Sequence, residues 1–316
     1  MTERPILYIV IPCYNEEEVL EETARRITAI IRRMAGEGLI SQESRMLPVD
    51  DGSRDRTWDI IERLHEADPT IGGVKLAANS GHQNALMAGL FAACQKADIM
   101  VSIDADLQDD VEVIPEMVRK YLGGCDIVYG VRKSRKTDTW FKRNTALAFY
   151  KLMHSLGVRS VYNHADYRLM SRRAVRQLAN YRERNLFLRG LVPLIGYKSD
   201  SVYYDRAKRF AGESKYPLRK MLNFAIDGIT SFSIQPLRLL FHVGLLFILI
   251  SLCIFAWVLY KYFTGDVVTG WSSLILSIWF VGGTVLTGLG ITGEYIGKMY
   301  MEVKDRPRYN IEKQLE

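Results

Sequence analysis

A regular alternation of short apolar runs with longer amphipathic ones constrains this sequence most. ILYIVI (6–11) is stopped by Pro12 and reads as a strand buried on both faces. EEVLEETARRITAIIRRM follows, with Val19, Leu20, Ala24, Ile27, Ile31 and Met34 at helical spacing and Gly36 at its end. The pattern then repeats. Strands are expected at 46–49, 73–77, 99–103 and 126–132, and helices at 55–67, 82–97 and 111–122. Strand–helix alternation at this spacing predicts an α/β domain, a mostly parallel sheet with helices on both faces. Ligands of such sheets bind at the carboxyl ends of the strands. Four polar clusters fall there: Pro12–Glu16, Asp50–Asp55, Asn79–Asn84 and Asp104–Asp110.

The last third of the chain obeys a different rule. Residues 239–263 and 272–295 are two apolar stretches of the length a bilayer needs. Arg238 precedes the first, Lys298, Lys304, Arg306 and Arg308 follow the second, and the loop between them holds no Lys or Arg. The positive-inside rule then puts both ends in the cytoplasm. Residues 216–233 read as an amphipathic helix, lying either at the membrane interface or on the preceding domain. The expected organisation is a cytoplasmic domain over 1–215, the amphipathic helix, two transmembrane helices within 234–300, and a cytoplasmic tail over 301–316. The N-terminus is not that of a signal peptide. The four cysteines are scattered, which argues against a zinc site or disulfide framework. A net charge of +6 points to anionic partners.

A run of acid in this basic chain, SIDADLQDD (102–110), carries the chemistry. On a regular strand Asp104 and Asp106 would point to one side. Hard divalent cations take such carboxylates and leave other positions to water and substrate phosphates. Neither a GxGxxG after the first strand nor a GxxxxGK[ST] is present, so a phosphate ligand would need a metal.

IPCYNEEE (11–18), VDDGSRDRT (49–57), NSGHQNALMAGL (79–90), DADLQDD (104–110), VYGVRKSR (128–135) and GESKYPLRK (212–220) occur in order. Together they resemble the family 2 glycosyltransferases of GT-A fold, a Rossmann-like mostly parallel sheet. The subgroup they resemble loads sugars onto polyprenyl phosphates, and the two C-terminal transmembrane helices are similar to its bactoprenol glucosyltransferase branch. The resemblance implies that Pro12, Tyr14, Asn15 and Glu16, with Asp50 and Asp51, line the nucleotide site. It implies that Asp104, Asp106 and Gln108 hold Mg²⁺ or Mn²⁺ on the diphosphate, and that Arg132 faces the donor phosphates. Arg206, Arg209, Ser214 and Lys215 would receive the lipid phosphate, whereas Arg219 and Lys220 read as generic juxtamembrane charge. Asp166 falls at an acidic position near the reaction centre. An acid there can act as base, or here pair with Arg168 or orient the acceptor.

Those roles imply inverting transfer of a sugar, foremost glucose from UDP-glucose, to polyprenyl phosphate at the cytoplasmic face of a bacterial inner membrane. The expected partners are the nucleotide sugar, the polyprenyl phosphate, the bilayer and a second copy of the chain packed through its transmembrane helices, where Gly293 and Gly297 form a small-xxx-small pattern. Nucleic acid is not among them. GDP-mannose and a modified UDP-pentose are the alternative donors. A processive synthase would carry a Q-x-x-R-W motif and more spans, and a non-catalytic scaffold binding nucleotide sugar would not need the D-A-D pair. Two departures from the family pattern stand out. Pro48 lies where a strand residue is usual, so the strand begins there or its geometry differs. Asp110 and Val111 replace prolines after the metal motif, which leads one to expect Asp109 and Asp110 to be solvated acids opening the next helix.

Overall fold

The computed structural model describes residues 4–133, 164–184, 186–205, 235–264 and 270–316. The chain divides into two compact units. The first takes in residues up to Lys151, Arg159–Pro217 and the C-terminal Arg306–Glu316. The second takes in Leu152–Val158 and Leu218–Asp305.

In the first unit the expected alternation is present. β1 (Leu7–Cys13), α1 (Leu20–Gly36), β2 (Arg45–Asp50), α2 (Thr57–Ala67), β3 (Gly73–Leu76), α3 (His82–Ala93) and β4 (Ile99–Ser102) follow in order. A 3₁₀ turn (Val111–Val113) leads into α4 (Ile114–Leu122), then β5 (Ile127–Arg132). Beyond these come β6 (His164–Ser171), α5 (Arg172–Leu178), α6 (Leu188–Leu194) and β7 (Ser199–Tyr204). The last strand, β8 (Ile311–Leu315), comes from the segment expected to be a tail.

The eight strands form one sheet in the order β7-β5-β6-β4-β1-β2-β3-β8. β1 pairs parallel with β2 and β4, β2 with β3, and β5 with β7. β6 lies antiparallel between β4 and β5, and β8 antiparallel on β3. Two reversals on either side of β6 restore direction, so β4, β5 and β7 all end on the rim where β1, β2 and β3 end. β6 begins on that rim. This geometry collects the loops after β1, β2, β3, β4 and β5 at one edge.

β1 serves both faces of the sheet by its period-two alternation. Leu7, Ile9 and Ile11 join Leu20, Ile27, Ile31 and Met34 of α1 and Ile114 and Met117 of α4 in one apolar cluster. Each such aliphatic side chain contributes about 1.5–3 kcal/mol relative to exposure. On the other face Val10 and Val49 lie under α3, at Gly89. A Cβ on Gly89 would sit 2.4 Å from Val10 Cγ1 and 2.6 Å from Val49 Cγ2, so only glycine lets this helix approach.

Pro48 does not begin its strand. It is buried inside β2, opposite Ile11 of β1. Met46 donates its N–H to the Thr70 carbonyl and accepts from Gly72 N–H, both toward β3. N–H groups alternate along a strand, so the Pro48 nitrogen also faces β3. There the ladder is interrupted between the bridge at Met46 and the pairs at Val49 and Asp50, and the missing donor falls in that gap.

The second unit contains α7 (Gln235–Thr264, 30 residues) and α8 (Trp271–Val303, 33 residues), which run over both apolar stretches. Among the described residues no helix is long and apolar enough to cross a membrane. Side chains at several positions of both helices lie outside the description. Those described include many exposed large apolar ones, among them Phe241, Leu246, Leu252, Trp257, Leu274, Phe280, Leu286 and Leu289. The amphipathic segment 216–233 lies outside the described residues.

Replacing Gly89 by Val is expected to cost roughly 1–3 kcal/mol through overpacking against Val10 and Val49. A lowered melting temperature of the purified protein would show it, and an unchanged one would refute the close approach.

Candidate active site

The loops after β1 and β2 are stitched side by side. Asn15, with a positive φ of 54°, donates its N–H to Ser53 Oγ (2.9 Å) and accepts from Arg54 N–H at its Oδ1 (2.9 Å). Glu16 N–H donates to Thr57 Oγ1 at 2.9 Å. Gly52 turns the second loop with φ 66°, and a Cβ there would meet the backbone N of Asn79 at 2.6 Å. Pro12 is buried, Tyr14 and Asn15 are exposed, and Glu16 is half-buried beside them.

Asp50 and Asp51 differ. Asp51 is committed to the chain: its two oxygens accept from the N–H groups of Ser80 (2.7 Å) and Gly81 (3.0 Å), which pins the loop entering α3. Asp50 accepts from Ser53 N–H at 3.2 Å through Oδ1, while its buried Oδ2 has no partner among the described residues. Burial raises both carboxyls above the usual range. An unsatisfied buried acceptor at a strand end is costly and suits a ligand donor.

The acid stretch is not a continuation of β4, contrary to the regular-strand expectation. The strand stops at Ser102, residues 105–106 turn, and Leu107 takes φ 56°. The alternation survives the turn. Asp104, Asp106, Gln108 and Asp110 are half-exposed, whereas Ala105, Leu107 and Asp109 are buried. The Asp106 carboxylate accepts from Gln108 N–H at 3.1 Å, which shapes the bend. Burial pushes the Asp104 carboxyl up to about 6, opposed by His82 and reinforced by Asp166, Asp109 and Asp106. Among the described residues no group of three or more His, Cys, Asp or Glu side chains is placed to hold a metal ion.

Asp109 is not a solvated acid. It is buried and accepts from Tyr204 Oη–H (2.6 Å) and from Arg132 Nη2 (2.9 Å). Arg132 also donates to Tyr204 Oη at 3.3 Å. Burial lowers the Arg132 pKa, but the Asp109 charge outweighs it and the guanidinium stays firmly charged. The sequence hides this because the partners come from the ends of β5 and β7, which only the sheet order brings together. Asp110 behaves as expected: its Oδ1 caps the 3₁₀ turn by accepting from Glu112 N–H at 2.9 Å.

Asp166, near the start of β6, lies beside this loop. His82 Nε2 stands 3.5 Å from Asp104 and 3.9 Å from Asp166. Arg168 Nη2 donates to Asp166 Oδ1 at 2.6 Å, and Arg189 Nη2 to Oδ2 at 3.2 Å. Burial alone would raise the Asp166 carboxyl, but Arg189, Arg168 and His82 hold it far below the usual range. It is therefore a poor proton acceptor. The Asp166–Arg168 pair is one of the alternatives the sequence offers, whereas Arg189 stands in no short motif and is brought to Asp166 by α6. Arg206, Arg209, Ser214 and Lys215 lie outside the described residues.

Residues 8–179 match the glycosyl transferase family 2 sequence family, more than half of the chain. The chain belongs to glycosyl transferase family 2. It is accordingly a glycosyltransferase. An uncharacterized glycosyltransferase of Bacillus subtilis (strain 168), YkoT, is 52% identical, covering 98% of this chain and 92% of that one. The bactoprenol glucosyl transferase of Shigella phage SfII is 40% identical over 96% of this chain and 97% of its own. Glucosyl-3-phosphoglycerate synthase of Mycobacterium tuberculosis, solved with phosphoglyceric acid, is 20% identical with a TM-score of 0.47, covering 72% of this chain and 79% of that one.

Asp166→Asn in this family 2 enzyme leaves the buried Arg168 without its counter-charge and is expected to cost about 3–5 kcal/mol. The folded-state pKa of Asp166 lies below its unfolded value of about 3.9. Its stabilisation is thus present at neutral pH and lost as pH falls through the carboxylate range. Melting temperature against pH should therefore fall less steeply on the acid side for the variant than for the parent, and equal slopes would refute the pairing.

Proposed function

We propose that this glycosyltransferase moves glucose from UDP-glucose to undecaprenyl phosphate, with inversion at the sugar carbon, on the cytoplasmic face of a bacterial plasma membrane. The observation that carries the reading is the half-exposed row Asp104, Asp106 and Gln108 on the carboxyl rim of the sheet, with Arg132 paired to Asp109 of the same loop and His82 linking Asp104 to Asp166. The acceptor and the sugar are supported by near full-length identity of 40% to a protein named bactoprenol glucosyl transferase.

The row fits a divalent cation. Two carboxylates and an amide are hard oxygen donors, and Mg²⁺ or Mn²⁺ sites of this kind leave the remaining positions to phosphates and water. Burial, reinforced by the carboxylates of Asp166, Asp109 and Asp106, raises Asp104 to about 6, and such a cation would offset both costs of its ionised form. When bound, the cation neutralises the negative charge that develops on the departing diphosphate.

The chain's own residues do the rest. Pro12, Tyr14, Asn15 and Glu16 line the base and ribose, and the unpartnered Asp50 Oδ2 accepts a donor N–H or O–H from the nucleoside. Asp51 shapes that site indirectly by holding Ser80 and Gly81. Arg132, anchored by Asp109, directs charge toward the donor phosphates. The acceptor needs no base, because a phosphate monoester with a second pKa of about 6 is already anionic. Asp166, held ionised by two arginines, orients rather than abstracts a proton. Arg206, Arg209, Ser214 and Lys215 stay assigned to the lipid-phosphate side on sequence grounds.

The membrane reading rests on α7 and α8 as two spans joined outside the cytoplasm, with 216–233 at the interface and copies packed through the glycine-bearing face of α8. Its support is in the sequence, where the apolar stretches 239–263 and 272–295 have the length a bilayer needs and the flanking Lys and Arg follow the positive-inside rule.

Purified protein incubated with undecaprenyl phosphate, Mg²⁺ and a panel of labelled sugar nucleotides should yield a glucosylated lipid from UDP-glucose. No lipid-linked product from any donor would overturn the function, and product only from another donor would overturn the sugar. Asp106→Ala should lower turnover by about 10²-fold or more with the melting temperature retained. Full activity in excess chelator would refute the cation's role.

A further inference from the structure

On the reading of the acceptor as a lipid phosphate, we propose that Arg189 is a binding residue for the acceptor's phosphate monoester, across His82 from the acid row. Two arginines attend one carboxylate at this point of the rim, and they are not equivalent. Arg168 is fully buried and makes the short contact to Asp166, 2.6 Å. Arg189 is 35% exposed, and its contacts to the same carboxylate are longer, 3.2 and 3.4 Å. Arg168 meets the need of buried Asp166 for a counter-charge, whereas Arg189 adds a second positive charge on the solvent side.

The placement of that charge is specific. Asp166 lies 3.9 Å from His82 Nε2, and the same nitrogen lies 3.5 Å from Asp104. A positively charged spot thus adjoins an acidic row, with one imidazole between them. Transfer between a diphosphate and a phosphate monoester must hold two anions in line at close range. The acid row suits one through a cation, and a guanidinium suits the other directly, since its planar fork matches a phosphate's oxygens.

Arg189 is also mounted rigidly. The preceding residue, Leu188, donates its N–H to Gln83 Oε1 of α3 at 2.9 Å and accepts Arg168 Nη1 at its carbonyl at 3.3 Å. A binding group carried on a backbone held from two elements loses little freedom when it engages its ligand.

The test compares wild type, Arg189→Gln and Arg189→Lys in steady-state transfer, with undecaprenyl phosphate as acceptor and inorganic phosphate as inhibitor. Arg189→Gln should raise the KM for undecaprenyl phosphate about 10- to 100-fold. It should leave the donor KM within about twofold. Inorganic phosphate should compete with the acceptor in wild type and lose potency in the variant, and Lys should recover part of the acceptor affinity. A purely structural partner of Asp166 would shift both KM values together or change kcat alone, and either result overturns the proposal. Inhibition by inorganic phosphate unchanged in Arg189→Gln also overturns it, since phosphate recognition is then elsewhere. Should Arg189→Gln melt early, the KM split in Arg189→Lys decides. Wild type that turns over no donor overturns the function and this proposal with it. Wild-type turnover without the split overturns this proposal alone.

Discussion

A guanidinium buried in the middle of a sheet must be paired, and the rim of this enzyme is organised around that requirement at Arg168. An unpaired buried charge costs several kcal/mol. Asp166 meets it from two residues earlier on the same strand, where the period-two alternation puts both side chains on one face. The Leu188 carbonyl meets it from α6, and Leu188 in turn holds Gln83 at the start of α3. The Ser102 hydroxyl, at the end of β4, donates to the Asp166 carbonyl. One buried charge therefore ties β4, β6, α3 and α6 together beside the acid row.

Four aspartates within seven residues have three different environments. Asp104 and Asp106 stand half-open on one side of a turn. Asp109 is buried under them and holds Arg132 and Tyr204, while Asp110 caps the following 3₁₀ turn. The ion pair of buried Asp109 with Arg132 stabilises the loop of the half-open Asp104 and Asp106, whose Leu107 sits in left-handed backbone geometry. Strained backbone of this sort persists where its surroundings over-determine it. Tyr167 adds a further tie, donating to the Asp110 carbonyl at 2.9 Å and meeting the Tyr204 ring edge-on at 5.4 Å.

The catalytic unit closes on itself through the end of the chain. β8 adds to the β3 edge with Lys75–Glu312 and Lys313–Glu62 ion pairs around it, and Arg308 donates to the Tyr181 carbonyl at 2.6 Å. An otherwise open edge next to the strand that feeds the Asn79–Gly81 loop is thereby covered.

The sequence by itself determined the first five strands and the helices between them, because each run carries its own apolar period and its own stop. It also placed four polar clusters on one rim, since parallel strands end on the same side. It determined the family through motifs that are local in the chain. Only the tertiary structure decided β6, β7 and β8, whose runs are mixed with charged and polar residues and carry no clear apolar period of their own. It separated Asp51 from Asp50 and Asp109 from Asp110, pairs that look alike in one dimension and differ by which strand end lies across from them. It brought Arg189 to Asp166, 23 residues apart along the chain. Charges are read locally in a sequence, but burial and partnership, which decide what a charge can do, are set by contacts between strands that are distant in the chain.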